Sequence, residues 1–292
     1  MAAERISFQS AGLKINGYIH KPADMKPGEK RPAFMVLHGF GSNCSSGNCM
    51  LPAEMLTEWG YVALRFDFRG CGESEGKRAN TVCLEQVEDT KNALSFLETR
   101  PEVDGKRVAV VGSSFGAAVA VYSGGVDKRI AAVISSGGWG DGETKFKKQH
   151  ASPEAWQRFA EMMARGKAAK AKGESIMVPR YDIVPIPAHL RGHLAQNSIM
   201  EFTFDTVESM YNFRADDVVG NIAPRPLLLL HSSNDSVTPT EQSLRLFEHA
   251  GKATTDLHLM TDVDHFMFAQ ENTRVITIIR EWLDKFFPVQ MK

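Results

Sequence analysis

Three residues that together can open an acyl bond stand far apart in this chain: Ser114, Asp235 and His265. The serine lies in Gly112-Ser113-Ser114-Phe115-Gly116, after the β-rich run 108–111 and before the small residues 117–120. A strand–turn–helix setting is what makes G-x-S-x-G an elbow that presents a nucleophilic hydroxyl. The turn is so tight that the serine is forced toward a strained backbone, and only hydrogen at positions 112 and 116 avoids a clash. At a helix start the hydroxyl also meets a dipole that favours developing negative charge. It still needs a base within reach, and that base needs a third group to orient it.

Both follow downstream. Residues 226–231 read as a buried strand that runs into the turn Ser232-Ser233-Asn234-Asp235-Ser236-Val237-Thr238-Pro239. A second strand, 256–260, leads to the loop Asp262-Val263-Asp264-His265-Phe266. Asp262 and Asp264 lie closer to the histidine in sequence than Asp235 does. Neighbours in sequence usually point apart, whereas an orienting acid must reach the far nitrogen of the imidazole, so Asp235 is favoured. Upstream, the strand 32–37 ends in His38-Gly39-Phe40-Gly41-Ser42.

The order Ser114…Asp235…His265 is that of the α/β-hydrolases and differs from the chymotrypsin and subtilisin orders. The chain resembles the α/β-hydrolase superfamily, and within it the dienelactone-hydrolase-like, feruloyl-esterase-like and prolyl-oligopeptidase-like single-domain hydrolases. The resemblance covers residues 5–140 and 215–290. It implies that Asp235 occupies the family's acid position, and that the backbone N–H groups of Phe40 and Phe115 form the oxyanion hole. It implies hydrolysis of a carboxylic ester or related acyl bond through an acyl-enzyme on Ser114, with no cofactor and no metal. The same triad leaves acyl transfer and carbon–carbon bond hydrolysis open, as well as a small-substrate peptidase or a binding protein without turnover. A serine at 114 argues against dehalogenases and epoxide hydrolases of this fold, which use aspartate.

The elements that must position these groups are also legible. Residues 4–20 alternate as a hairpin turning at Ala11-Gly12, which suits an antiparallel edge. Beyond it, strands at 61–67, 107–111, 130–135, 226–231 and 256–260 alternate with helices near 49–59, 81–99, 240–249 and 270–287. Repeated strand–helix units with continuously apolar strands predict an α/β fold: a twisted, mostly parallel sheet with helices on both faces. Residues 1–139 and 222–292 form the expected core. Residues 140–221 break the pattern, being basic and then aromatic, and are expected to form an inserted cap or lid, helical with one Pro-rich turn (Pro179, Pro185, Pro187). Trp139, Trp156, Phe202 and Tyr211 are candidate substrate-binding side chains, with core packing an equal alternative for Trp139. The expected substrate is a small ester or acyl compound with a bulky apolar or aromatic group.

Composition narrows the partners. A formal net charge of −1 over 292 residues implies no polyanion partner, so no nucleic acid is expected. No apolar run approaches the ~18 residues of a membrane span. The charged start Met1-Ala2-Ala3-Glu4-Arg5 reads as no signal peptide, and four cysteines without CxxC spacing fit a reducing cytoplasm. His38 reads as a support for the oxyanion loop. The loop Arg69–Gly76 lacks the third glycine of a dinucleotide fingerprint and reads as structural. His189 and His193 have the spacing of a zinc helix without its glutamate, so no metal site is expected there. The lysines of 165–172 read as a solvated helix face.

Overall fold

Period-two alternation places Ile6 and Phe8 on the same face as Ile15 and Ile19, and the two segments pair antiparallel as β1 (Glu4–Ser10) and β2 (Leu13–His20). Their turn is made by Ala11 and Gly12, both at positive φ. A computed structural model describes residues 3–268 and 272–290. Met1, Ala2 and the expected start of the last helix at Gln270 lie outside the described residues.

The hairpin edges an eight-stranded sheet. β2 pairs antiparallel with β4 (Val62–Phe66), which lies parallel to β3 (Arg31–Leu37). From β3 the sheet continues, all parallel, through β5 (Val103–Ser113), β6 (Ile130–Ser136), β9 (Leu227–Ser232) and β10 (Thr255–Met260). The inner strands β3, β6 and β9, and β5 from Val108 on, are mostly apolar and buried because both faces are covered, whereas β10 at the edge carries Asp256 and His258 half-buried. Met35, Val110 and Leu229 face one cluster, with Leu94 of α2 (Cys83–Glu98), Val119 of α3 (Phe115–Val126) and Leu246 of α8 (Glu241–His249). Phe34, Val111 and Leu228 face the other, with Leu56 of α1 (Gly47–Glu58) and Trp282 of α9 (Thr273–Phe286). The expected fold class is the one observed. Because the strands from β3 onward run the same way, their carboxyl ends gather on one rim.

The chain between β6 and β9 lies over that rim. It holds α4 (Gly142–Gln149), α5 (Pro153–Ala171), a short ribbon of β7 (Met177–Pro179) and β8 (Glu201–Thr203), α6 (Arg180–Ile183) and α7 (Phe204–Tyr211). Its base is fastened to the core by Gln242, whose side-chain carbonyl accepts from the N–H groups of Gly140 (3.2 Å) and Asp141 (2.9 Å). A second fastening joins the Thr203 N–H to the Ala79 carbonyl at 3.0 Å. The helical expectation missed the ribbon, because strands of three residues, one ending in Pro179, show no period-two signal. The lysines of α5 point outward, and Lys170 pairs with Asp205 and Glu208, each at 2.7 Å.

Candidate active site

Ser114 joins β5 to α3 with φ 56° and ψ −114°, a conformation that L-residues adopt only under constraint. The constraint is visible in the flanking glycines. A Cβ at 112 would drive into the carbonyl of Gly116, and one at 116 into the carbonyls of Leu37 and His38. The Ser114 N–H is tied to the Ser136 carbonyl at 2.8 Å, so the elbow is anchored to the neighbouring strand.

Asp235 and His265 arrive from the turns after β9 and β10. Ser114 Oγ lies 2.7 Å from His265 Nε2, and His265 Nδ1 lies 2.8 Å from Asp235 Oδ2. An ionised carboxylate only accepts, so the imidazole proton belongs on Nδ1, and Nε2 is left to accept from the serine. Asp235 is itself held: its Oδ1 accepts from the N–H groups of Val237 (2.8 Å) and Thr238 (2.7 Å). Burial alone would push its carboxyl up, but His265 and His231 more than offset this and hold it far below the usual carboxylate range. Gly137 packs flat against the imidazole, where a Cβ would sit 3.4 Å from Cε1.

The rival acids are used elsewhere. Asp264 accepts from the Ser236 N–H (2.9 Å), the Ser236 hydroxyl (2.7 Å) and the N–H of His265 (2.7 Å), which closes the loop. Asp262 is exposed and accepts from Asn272 at 3.1 Å.

His231, a fully buried residue behind the acid, carried no sequence signal beyond its place at the end of the strand 226–231. Its Nε2 lies 3.0 Å from the Thr238 carbonyl and 3.2 Å from Asp235 Oδ2, while Nδ1 lies 2.6 Å from Ser243 Oγ. The Nε2–H is shared between two acceptors, and one of them is the Asp235 oxygen that also receives His265.

The loop after β3 is supported from both sides. His38 Nδ1 donates to the Gly39 carbonyl at 2.9 Å and Nε2 accepts from the Phe68 N–H at 3.2 Å, which is the supporting role expected of it. From above, Arg180 of α6 donates to the Phe40 carbonyl at 2.6 Å and to the Ile199 carbonyl at 2.8 Å. Burial lowers this guanidinium to about 10, still charged at neutral pH. Among the described residues, the N–H groups of Phe40 and Phe115 donate to no other group. For Phe115 the cause is its place at the first position of α3, where no carbonyl lies one turn back.

These groups line one cleft. Its walls include Phe40, Ser114, Phe115, Trp139 and His265 from the core, and Lys145, Arg180, Ile186, His193 and Met210 from the overlying segment. Of the four candidate substrate-binding residues, only Trp139 reaches this cleft. Phe202 is stacked beneath Phe40 with ring centroids 4.1 Å apart. Trp156 and Tyr211 pack around Phe159, at 5.7 and 6.3 Å, in the segment's own core. The reason is spacing: aromatic residues of α5 and α7 must first bury the face these helices share. Lys145, Arg180, Ser46 and Asn48, which do reach the cleft, carried no sequence signal beyond polarity.

The family described as serine aminopeptidase, S33 (Hydrolase_4), matches residues 28–272. The chain belongs to this family. It is therefore an enzyme of the α/β-hydrolase superfamily, with hydrolase activity. Among its relatives is the polyketide transferase grgF of a Penicillium species, 26% identical over 268 residues that span 87% of this chain and 86% of the relative. The crystal structure of GrgF superposes with a TM-score of 0.79 at 22% identity, covering 98% of this chain and 99% of that one. The thiohydrolase aneE of Aspergillus aculeatus is 27% identical over 260 residues, spanning 81% and 78%. Est1E of Butyrivibrio proteoclasticus, solved with ferulic acid bound, shares the fold with a TM-score of 0.67 at 17% identity, covering 96% and 100%.

Proposed function

We propose that the protein hydrolyses a carboxylic ester or thioester through an acyl-enzyme on Ser114. The observation that carries this reading is the unbroken path from the Asp235 carboxylate through His265 to the Ser114 hydroxyl, ending beside two unused backbone N–H groups. In this mechanism His265 takes the hydroxyl proton as Ser114 Oγ bonds to the acyl carbon. The carbonyl π electrons move onto oxygen, where the N–H groups of Phe40 and Phe115 receive the charge. The tetrahedral species collapses, the leaving alcohol or thiol takes the proton from His265, and the acyl group stays on the serine. Water then attacks with His265 as base, releasing the acid and restoring the hydroxyl. Asp235 holds the imidazole tautomer and balances its charge.

The cleft bears on the substrate. Its lining contains no aspartate or glutamate among the described residues, and Lys145 and Arg180 stand in it. A peptide's terminal ammonium would meet cations there instead of a carboxylate, which favours a neutral or anionic acyl substrate over an aminopeptidase substrate. We assign residues 140–221 as the cap that selects it. Apolar walls from Trp139, Ile186 and Met210 support a preference for bulky over acetyl esters. The relatives named polyketide transferase and thiohydrolase favour thioesters among the donors, and acyl transfer to an alcohol as the second reading. No helix of the described residues is long and apolar enough to cross a membrane. The four buried free cysteines support a reducing compartment, and the cytoplasm is the one we propose.

A fluorophosphonate probe tests the nucleophile. It should label the wild type and leave Ser114→Ala unlabelled. The variant should lose on the order of 10⁶ in kcat on a panel of nitrophenyl esters and acyl thioesters. More than a few per cent of residual turnover would mean that another group attacks. Product analysis with and without an added alcohol separates hydrolysis from transfer. Equal efficiency on acetyl and bulky aromatic esters would remove the proposed role of the cleft walls.

A further inference from the structure

One cation in the cleft has nothing to pair with. Lys145, on α4, is 1% exposed, and its Nζ has no hydrogen-bond partner among the described residues. It rests over the rings of Phe146, 3.9 Å from the centroid, and Trp139, 4.7 Å away. Ring faces attract a cation but accept none of its N–H bonds in the ordinary sense. Beside it the Trp139 Nε1–H is also buried and without an acceptor. Two neighbouring groups titrate, and neither supplies an anion. The Cys83 thiol is pushed up to about 12 by burial and stays neutral, and His150 is lowered. Burial brings Lys145 itself down to about 7, with Cys83 opposing only in part. A buried lysine without a partner destabilises a fold, so its place in a cleft above Ser114 needs an account other than packing.

We propose that Lys145 Nζ and Trp139 Nε1 form a subsite for a carboxylate on the acyl chain, making half-esters or half-thioesters of dicarboxylic acids the preferred substrates. This rests on the acyl-hydrolase reading above. A carboxylate offers two acceptor-only oxygens to donors that have no other acceptor. It also converts an unpaired buried cation into an ion pair in a low-dielectric site. The lysine stem is flexible, so its head can swing from the ring faces into the cleft. The subsite lies on the acyl side. Trp139 packs against Phe115, the residue after the serine, at 5.6 Å, whereas a leaving group must stay within reach of His265. Arg180 adds positive charge to the same cleft, and no aspartate or glutamate among the described residues of its lining opposes it.

The test compares release of nitrophenolate from mono-4-nitrophenyl glutarate and from the same ester with its free carboxyl capped as a methyl ester. In the wild type kcat/KM should favour the free acid by roughly tenfold or more, the scale of one charged hydrogen bond. In Lys145→Met that ratio should fall to one or below. A wild-type ratio near one, or a ratio that the substitution leaves unchanged, overturns the subsite. In parallel, calorimetry of glutarate with the wild type should show binding with proton uptake, read from the dependence of the heat on buffer ionisation. Lys145→Met should show neither. If neither ester turns over, the acyl-hydrolase reading fails and calorimetry decides the subsite alone. No glutarate binding at millimolar concentration then overturns it. Should Lys145→Met fail to fold, the wild-type ratio and proton uptake still decide.

Discussion

Ser114, Asp235 and His265, the nucleophile, acid and base of the proposed mechanism, were legible because few residue types can fill those roles and each stands just beyond a strand that reads as buried. Those criteria fit Asp264 as well, and Asp235 was favoured because a sequence neighbour of the histidine points away from the imidazole; in the structure the two acids have distinct partners. Asp235 meets the imidazole, while Asp264 meets the Ser236 amide and hydroxyl and the amide of His265. Asp235→Asn should therefore lower kcat by on the order of 10⁴ through the wrong histidine tautomer, with little change in KM. Asp264→Asn should cost far less, because the loop keeps its backbone. Steady-state kinetics of the two variants decides, and the reverse order would reassign the acid. His231, Lys145 and Arg180 were not legible for one physical reason. A histidine, lysine or arginine declares itself only through what lies around it after folding, and none of the three sits in a motif.

Strands with continuous apolar faces, and helices whose apolar positions recur at helical spacing, were readable because sheet and helix bury opposite halves of each other. The ribbon of β7 and β8 and the turn of α6 were not, since each is too short to repeat a pattern. Yet these unread pieces hold the element next to the nucleophile. β7 delivers Arg180, whose guanidinium grips the carbonyl of Phe40, and β8 delivers Phe202, whose ring underlies Phe40. Gly41, at φ +51°, closes the arrangement, because a Cβ there would run into the Phe202 ring. The segment proposed as the cap and the loop after β3 are thus one packed unit, so displacing either moves the Phe40 N–H. Arg180→Met should lower kcat for all esters by ~10- to 100-fold, the cost of an ångström-scale misplacement. It should slow fluorophosphonate labelling in parallel while sparing affinity for substrate. Unchanged kcat with raised KM would mean that Arg180 binds substrate and does not position the loop.

At the scale of the whole molecule, the two buried cations of the cleft differ: Arg180 donates to the carbonyls of Phe40 and Ile199, whereas the Nζ of Lys145 has no hydrogen-bond partner among the described residues. Its effect on stability has a definite sign. In the unfolded chain the ammonium keeps its proton up to the ordinary 10.5, whereas in the fold it gives the proton up near 7. Between those values the unfolded state binds the extra proton, so the contribution of Lys145 to wild-type stability rises with pH across that window. Below pH 7 both states are charged and the destabilisation by burial is fully present. Approaching 10.5 it vanishes, since neither state is then charged. Methionine fills the same volume without titrating. Lys145→Met should melt above the wild type at pH 6, by ~2–4 °C for each kcal/mol gained. The gap should narrow steadily from pH 7 to 10. His150 loses its charge below this range, whereas the buried thiols of Cys44, Cys71 and Cys83, raised from the ordinary 9 to about 12, stay neutral in the fold and supply an opposite slope toward pH 10; both proteins share that slope, so the gap between them reports Lys145. Melting curves of the two proteins at pH 6, 8 and 10 provide the measurement. A gap that stays constant with pH would mean that Lys145 keeps its proton in the fold, stabilised by a partner that only the folded protein in solution provides.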